Sequence, residues 1–358
     1  MPQFEMRVVV TGTGARTSVG RTALATAAAI RAGIAMFNEH PFMRDTAGNR
    51  MVVALAPYLE AHSLLPDRLA ELAGPAAMEA TSLLARSEGQ KPLIPVFVGL
   101  PRVRPGRAKD LGVIAKRVRD DASGAGLRIG KVTMIETGHS AGAMAIQAAW
   151  DLVRSGAAEF VLAGGVDSYL EPETLEWLEA NDQLHSAGPT NNSYGFIPGE
   201  AGSFALLATA RAAERQKLSS STELVIAATT QETKLIKTDA VCLGEGLAAL
   251  FRALSGVPAM LRADHLYCDM NGEPYRADEF GFATIRSGGI FRDPSSFTTP
   301  ADCWGDVGAA SGPLFLMLAD AAIKKGYAPG PILAAFTSSE SGERCGFVAR
   351  DRNVQETR

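Results

Sequence analysis

The sequence is poor in the features that mark several classes of protein. It has only four cysteines in 358 residues, and their spacing is not that of a disulfide framework, so we expect reduced thiols: Cys242, Cys268, Cys303 and Cys345. Lys and Arg number 35 against 39 Asp and Glu, and this absence of a basic excess argues against nucleic-acid binding. No apolar run is long enough to span a bilayer, which argues against a membrane protein.

The N-terminal segment also lacks the charged and then apolar pattern of a secretory signal. With reduced cysteines, this predicts a cytoplasmic location. The 46% of hydrophobic and 21% of charged residues are ordinary for a soluble globular protein. The length allows one large domain or two modest ones.

Strand-like and helix-like runs alternate along the chain, which predicts an α/β fold. The runs RVVVTG (7–12), IPVFVG (94–99) and KVTMIET (131–137) each look like a buried strand that precedes a helix. The alternation restarts with TELVIAATT (222–230). We therefore predict two similar halves, 1–210 and 211–358, within one compact unit.

Each half also contains a helix rich in glycine and alanine. These helices, GHSAGAMAIQAA (138–149) and GDVGAASGPLFL (305–316), are apolar nearly all round, which predicts burial between layers. Glu200, in the run GFIPGE, is expected to brace a strand.

The first of these helices begins with a match to the G-x-S-x-G motif of serine esterases, from Gly138 to Gly142. A strand, a turn and a helix are the context that this motif requires, so Ser140 is a candidate nucleophile. The motif is short, and Ser140 could instead only cap the helix. The residues available as triad partners have no distinctive setting: His185, His265, Asp167 and Asp182.

Three segments in order resemble β-ketoacyl synthases of the thiolase-like superfamily, over nearly the full chain. They are residues 6–33, a strand with a Gly-rich turn and helix; 136–172, which includes the RSG and AGGVDS runs; and 195–215, GFIPGEAGSFALLATARAAER. The resemblance implies a five-layered αβαβα fold with two pseudo-equivalent halves. It also implies a dimer, in which the strand before Gly138 pairs across a two-fold axis.

The catalytic positions of that family are replaced in this chain. His139 occupies the position of the family's cysteine, and Asn271 and Asp306 occupy those of its two histidines. The late Gly-rich loop of the family is replaced by SSESGERCGF (338–347). A thiolate is both the nucleophile and the leaving group of the condensing reaction, so its loss predicts a homologue that does not condense.

The resemblance then predicts a scaffold, binding or partner protein. We expect a homodimer or a heterodimer with an active ketosynthase, and an acyl carrier protein or an acyl ligand as further candidates. We expect no cofactor. His265 with Cys268, and Cys303 with Asp306, have spacings that could suggest a metal, but such pairs seldom converge on strands and turns, so we expect none.

Two alternatives stay open from the sequence. One is an acyltransferase or serine hydrolase that acts on an acyl ester or thioester through Ser140 or His139. The other is a new polar site formed by His139, Asn271 and Asp306, because histidine beside a carboxylate is suited to acid–base chemistry. The simpler interpretation of that trio is a hydrogen-bonded group that fills the space of a lost active site.

Overall fold

The computed structural model describes residues 7–60, 65–107, 110–256 and 262–354. The first six residues, part of the segment inspected for a signal sequence, lie outside the described residues. The strands are β1 (Val8–Thr17), β2 (Asn38–Arg44), β3 (Arg50–Val53), β4 (Leu93–Gly99), β5 (Arg128–Ile135), β6 (Phe160–Ser168), β7 (Glu200–Thr209), β8 (Thr222–Gln231), β9 (His265–Cys268), β10 (Phe297–Thr298), β11 (Ile332–Ser338) and β12 (Glu343–Asp351). The helices are α1 (Ala23–Arg31), α2 (Leu65–Arg86), α3 (Gly112–Gly124), α4 (Ala141–Arg154), α5 (Pro172–Ala180), α6 (Ala210–Arg215), α7 (Glu245–Leu254), α8 (Pro274–Ser287), α9 (Ala301–Trp304) and α10 (Ser311–Lys324).

Ten strands form one continuous sheet that contains the same pattern twice. One half has the order β1-β7-β6-β4-β5 and the other has β8-β12-β11-β9-β10. In each half the first two pairings are antiparallel and the last two are parallel. The halves join where β1 pairs with β8. The predicted boundary at residues 210 and 211 falls between β7 and β8 and stays a prediction.

The helices and the two halves of the sheet form five layers, and three hydrophobic clusters pack these layers together. The largest lies between the two halves of the sheet and encloses α4 and α10. A second lies where α2 and α3 cover the first half, and a third where α7 and α8 cover the second. The alternation of strand side chains is clear in β1, where Val8 and Val10 face the central cluster and Val9 faces α2. This is the αβαβα layering that the resemblance implied.

The two central helices cross where both carry small residues. A side chain at Gly142 in α4 would collide with the carbonyl oxygen of Ala309 and the ring of Pro313. A side chain at Gly312 in α10 would collide with the backbone of Ala143. The small residues of the two Gly- and Ala-rich segments therefore permit the close helix contact that brings the starts of α4 and α10 together.

Each half caps the central helix of the other. The amide of Ser140, at the start of α4, donates to Oγ of Ser339, which follows β11, at 2.8 Å. The amide of Ala309, just before α10, donates to Oδ2 of Asp167 near the end of β6, at 3.0 Å. These bonds satisfy backbone donors that a helix start leaves without partners.

A buried ion pair links α2 to β7. Arg68 donates through Nε and Nη2 to the two carboxylate oxygens of Glu200, at 2.5 and 2.6 Å, and the two side chains are 4% and 0% exposed. The same carboxylate accepts the amide of Ala56 at 2.8 Å and the hydroxyl of Ser168 at 3.1 Å. Glu200 therefore fastens β7 to neighbouring segments, as the sequence predicted.

Several features differ from the sequence prediction. KVTMIET was expected to be a buried strand, but among the described strands β5 is an edge strand with β4 as its partner on one side, and none of its eight residues is fully buried. Helices α2, α5 and α8 were missed. In α8 the first turn is polar, and the buried apolar residues are Phe280 and Ala283. Among the described residues, no helix combines the length and apolar character needed to cross a membrane.

Candidate functional site

The site begins at a tight turn between β5 and α4. Gly138 has a φ of 78°, a left-handed backbone conformation that glycine adopts without strain. Residues Gly138–Ser140 form a 3-10 turn that leads directly into the buried helix α4. His139 is 6% exposed. The turn therefore holds an imidazole ring at the N-terminal end of a central helix, as predicted.

The turn before α10 brings a carboxylate to this ring. Nε2 of His139 lies 3.0 and 2.9 Å from the two carboxylate oxygens of Asp306. Asp306 also accepts the side-chain amide of Asn271 at 2.7 Å and the backbone amide of Gly308 at 2.9 Å. The three residues that the resemblance assigned to the family's catalytic positions thus form one hydrogen-bonded group.

The surroundings of Asp306 favour its ionised form. Burial alone would raise the pKa of this carboxyl group. The charge and hydrogen bond of His139, the guanidinium of Arg276 and the amide of Gly308 act in the opposite direction and hold the pKa well below its usual range. Asp306 is therefore a carboxylate at neutral pH.

Arg276 and Tyr169 complete the inner site, and the sequence interpretation missed both. Nη2 of Arg276 lies 3.1 Å from Nε2 of His139, and Nη1 donates to Asp269 at 3.0 Å. The hydroxyl of Tyr169 lies 3.4 Å from the same imidazole nitrogen. A signal for Arg276 was present, because Pro274 in the GEPYRADE run (272–279) is typical of the first position of a helix.

A second buried cation supports Tyr169. The guanidinium of Arg104 stacks 4.0 Å from the centre of the Tyr169 ring and donates to Asp167 at 2.6 Å. Burial, together with the charge of Asp306, raises the pKa of Tyr169 well above 10, although Arg104 opposes this. The hydroxyl of Tyr169 is therefore neutral and able to donate a hydrogen bond.

A further network extends from Asn271 towards the surface. Asn271 donates to Glu273 at 3.1 Å, which also accepts the Tyr275 hydroxyl at 2.8 Å. Lys237 bridges Glu273, at 3.0 Å, and Glu340 in the late loop. The late segment 338–347, which the resemblance aligned with the family's Gly-rich loop, therefore belongs to the polar network of the site through Glu340.

Ser140, the residue of the esterase motif, points away from this group. It is fully buried, and its hydroxyl lies 3.0 Å from the carbonyl oxygen of Thr337 and 2.9 Å from that of Glu343. Ser140 stands at the N-cap position of α4, the alternative that the sequence left open, but its side chain makes no capping bond. Its hydroxyl fastens the turn to the strand pair β11 and β12.

The other candidate partners of Ser140 lie in separate settings. Both ring nitrogens of His265 are within hydrogen-bond distance of hydroxyls, at 3.0 Å from Ser296 and 2.8 Å from Thr298. The backbone amide of His185 donates to Phe196. Asp167 pairs with Arg104.

A cavity of about 220 Å³ reaches His139. Its inner end is lined by buried residues that include His139 and Tyr169, and its mouth includes the exposed Val103. The whole lining consists of Arg102, Val103, Arg104, Pro105, Thr137, Gly138, His139, Tyr169, Trp177, Leu178, Gln183, Phe196 and Glu340. The site is therefore accessible to a ligand from one side.

One group outside this site has the spacing of metal ligands. Ligand atoms of Glu232, Cys242 and Glu279 lie within 4.8 Å of one another. The carboxylates already have partners, because Glu279 accepts Arg344 at 2.7 Å and Glu232 accepts the amide of Gly246 at 2.7 Å. A cation would have to compete with the buried guanidinium, so the group is better explained as a structural one.

Comparison with known protein families agrees with the resemblance seen in the sequence. Residues 122–213 match the model of the β-ketoacyl synthase N-terminal domain. This range includes β5, the His139 turn, α4, β6 and β7. No curated protein matches the chain in sequence.

Solved structures with the same fold include ketosynthases. A type II PKS structure, AntDE:AntF, described as an acyl-carrier protein in complex with its ketosynthase bound to the hexaketide, has a TM-score of 0.80 at 18% identity, over 97% of this chain and 99% of that one. The ishigamide ketosynthase/chain length factor has a TM-score of 0.78 at 17% identity, over 97% and 99%. The ketosynthase from module 6 of the bacillaene synthase of Bacillus subtilis 168 has a TM-score of 0.73 at 14% identity, over 96% and 72%.

The chain therefore has the thiolase-like fold, and the predicted resemblance to β-ketoacyl synthases is confirmed. At these identities the structural likeness establishes the fold alone.

Proposed function

We propose that this protein is a non-condensing ketosynthase homologue that acts as the partner of an active ketosynthase. The observation that carries the proposal is the replacement of the cysteine by His139, whose imidazole is held by Asp306 at 2.9 Å. None of the described residues that line the cavity is a cysteine. A thioester-forming nucleophile is therefore missing from the point at which an acyl chain would be held.

The residues that would stabilise the enolate in the family's reaction are also replaced. Ketosynthases use two histidines to stabilise the enolate that attacks. Here Asn271 already donates to Asp306, and Asp306 is a carboxylate, which cannot donate a hydrogen bond to an enolate oxygen as a histidine would. Restoring a nucleophile alone would leave this donor missing.

Incubation with acyl and malonyl carrier-protein thioesters is expected to leave no acyl adduct on the protein and to give no condensation product. The variant His139→Cys is expected to form no product either, because Asn271 and Asp306 remain. Intact-protein mass spectrometry and product analysis check both expectations, with an active ketosynthase as the positive control. A covalent adduct on the wild-type protein, or product above background, would refute the proposal.

The exposed edge of the sheet supports a partner role. Strand β5 has β4 as its strand partner on one side, and among the described residues no strand pairs with its other side. Met134 in this strand is 40% exposed. An open edge with partly apolar side chains is a template for pairing with a second chain, and closed two-fold dimers are the commonest assemblies.

The substitution Met134→Glu is expected to weaken dimerisation, with itself or with an active ketosynthase, by roughly tenfold or more in Kd, because the interface would have to desolvate a carboxylate. Light scattering and analytical ultracentrifugation of the protein, alone and mixed with a ketosynthase, measure this. The matched control is Leu24→Glu, which places the same charge on an exposed apolar residue of α1. A wild-type monomer that binds no ketosynthase at micromolar concentration would contradict the partner role.

The cavity supports an acyl ligand or an acyl carrier protein as a further partner. The solved neighbours include a ketosynthase with its acyl-carrier protein and a ketosynthase/chain length factor. The alternative of a serine hydrolase has less support, because the Ser140 hydroxyl lies within hydrogen-bond distance of two backbone carbonyl oxygens and no described histidine hydrogen-bonds to it.

A further inference from the structure

One nitrogen of the His139 ring is free to react. Among the described residues, every polar group within hydrogen-bond distance of the ring lies beside Nε2. The other nitrogen, Nδ1, has no such partner, and it is not among the buried polar atoms that lack one. Since the ring lines the cavity, Nδ1 is the nitrogen available to a ligand.

The contacts of Nε2 determine which nitrogen carries the hydrogen in the neutral ring. Asp306 is a carboxylate and can only accept, so it selects the tautomer with hydrogen on Nε2. Nε2 then cannot also accept from Arg276, whose guanidinium is fixed by Asp269 and acts as a charge beside the pair. This assignment leaves a lone pair on Nδ1.

The orientation of the pair is rigid. Asn271 and Gly308 hold the carboxylate, and the left-handed turn at Gly138 holds the ring. A histidine backed by a fixed carboxylate is the arrangement in which the carboxylate stabilises the imidazolium that forms when the ring accepts a proton. The His139–Asp306 pair therefore has the geometry of a general base. A group that only fills space would not need this arrangement.

The cavity restricts what can reach this base. Its volume of about 220 Å³ lies below the roughly 300–1,000 Å³ typical of sites that enclose a drug-sized ligand. The inner walls combine the rings of Trp177 and Phe196 with the neutral hydroxyl of Tyr169. A short acyl group, or the end of a longer one, fits these limits.

We propose that His139, positioned by Asp306, transfers protons at the carbon between the two carbonyls of a 3-oxoacyl ligand. The imidazole is a modest base, and in an acyl chain the C–H bond flanked by two carbonyls is the one acidic enough for it. The choice of a 3-oxoacyl ligand rests on the proposed function. The fold itself does not identify the ligand.

The step conserves atoms and electrons without any further reactant. The C–H bond at carbon 2 breaks, its proton bonds to Nδ1 of His139, and its electron pair forms an enolate with charge on a carbonyl oxygen. Tyr169 lines the same cavity, and its hydroxyl, 3.4 Å from Nε2 of His139, is the donor that would stabilise that oxygen. Return of the proton restores the ligand, so the reaction observed is enolisation and exchange with solvent.

Deuterium exchange tests the proposal directly. The protein is incubated in D2O with the N-acetylcysteamine thioester of 3-oxobutyrate, and NMR follows the loss of the carbon-2 signal against buffer alone. We expect catalysed exchange in the wild type and a fall of at least roughly tenfold in His139→Gln and Asp306→Asn. Lys116→Ala, a surface control, is expected to match the wild type, and the butyryl thioester, which lacks the second carbonyl, is expected not to exchange.

A second measurement on the wild-type protein does not depend on variants that fold. Nitrogen-15 NMR of histidine-labelled protein distinguishes the two neutral tautomers, and we expect the His139 hydrogen on Nε2. A hydrogen on Nδ1 would overturn the proposal. Exchange at the buffer rate in the wild type would overturn it as well, whether or not the thioester binds.

These failures can be told apart from failure of the partner role. If the protein pairs with a ketosynthase but does not accelerate exchange, only the acid–base proposal is refuted. Exchange that depends on His139 in a protein that pairs with no ketosynthase would keep the acid–base site and refute the partner role.

Discussion

Replacing Asp306 by alanine is expected to lower the free energy of unfolding by roughly 3–5 kcal/mol, because it removes a buried carboxylate and leaves the groups that bond to it without their acceptor. The side chains of His139 and Asp306 are 8% and 3% exposed, so water does little to replace the lost contact. Arg276 would also lose a neighbouring negative charge. Denaturant melts measure the effect.

A double-mutant cycle separates coupling from independent losses. We expect the losses of His139→Ala and Asp306→Ala to be strongly non-additive, since both remove the same bond. Additive losses would mean that each side chain is solvated by itself and would rule out the paired site. The variant Asp306→Asn keeps the shape of the side chain and isolates the role of its charge.

The pH dependence has a definite sign. The pKa of Asp306 is lower in the folded protein than its reference value of 3.8. Its contribution to stability is therefore complete above the unfolded pKa and is lost as the pH falls through the lower folded pKa. The difference in unfolding free energy between the wild type and Asp306→Asn should shrink below about pH 4. A difference that stayed constant from neutral pH to pH 2 would contradict the ionised state of Asp306.

The second large effect is expected at the ion pair between α2 and β7. Glu200→Leu should cost roughly 3–5 kcal/mol, because Arg68 would be left buried without its carboxylate. The amide of Ala56 and the hydroxyl of Ser168 would lose their acceptor as well. Thermal and denaturant unfolding measure the loss.

The comparison with an exposed pair shows whether burial is the cause. Lys116 and Asp120 in α3 form an ion pair at 2.9 Å with side chains 77% and 53% exposed, and breaking it with Lys116→Ala should change stability by less than about 0.5 kcal/mol. The double variant Arg68→Met with Glu200→Leu should be more stable than Glu200→Leu alone, since no unpaired charge remains. Equal losses at the buried and exposed pairs would contradict this account.

Much of the sheet and the two central helices could be predicted from the sequence because their signals are local. The strand RVVVTG and the small-residue helices around Gly142 and Gly312 are evident from composition and periodicity. The edge position of β5 could not be predicted in this way. A strand's sequence shows how apolar it is, whereas the number of strand neighbours depends on the order of strands that are distant in the chain.

The candidate site was predicted in part. The motif resemblance identified His139, Asn271 and Asp306, and the structure brings these residues into hydrogen-bond contact. Arg276 and Tyr169 were missed, because the resemblance assigned no role to either and each reaches the imidazole only through the packing of α8 and of the segment after β6. The bonds of Ser140 were missed for the same reason, since its partners lie 197 and 203 residues further along the chain.

The reciprocal capping of the central helices has a consequence for synthesis on the ribosome. The start of α4 depends on Ser339, which is made 199 residues after Ser140. While the nascent chain is still short, the turn at His139 has neither this partner nor the carboxylate of Asp306. The first half can thus emerge as a domain-sized chain long before its central helix can be completed, with the apolar surface of that helix uncovered. Productive folding therefore waits for the last strands, and a truncated translation product would expose the surface that the finished protein buries most deeply.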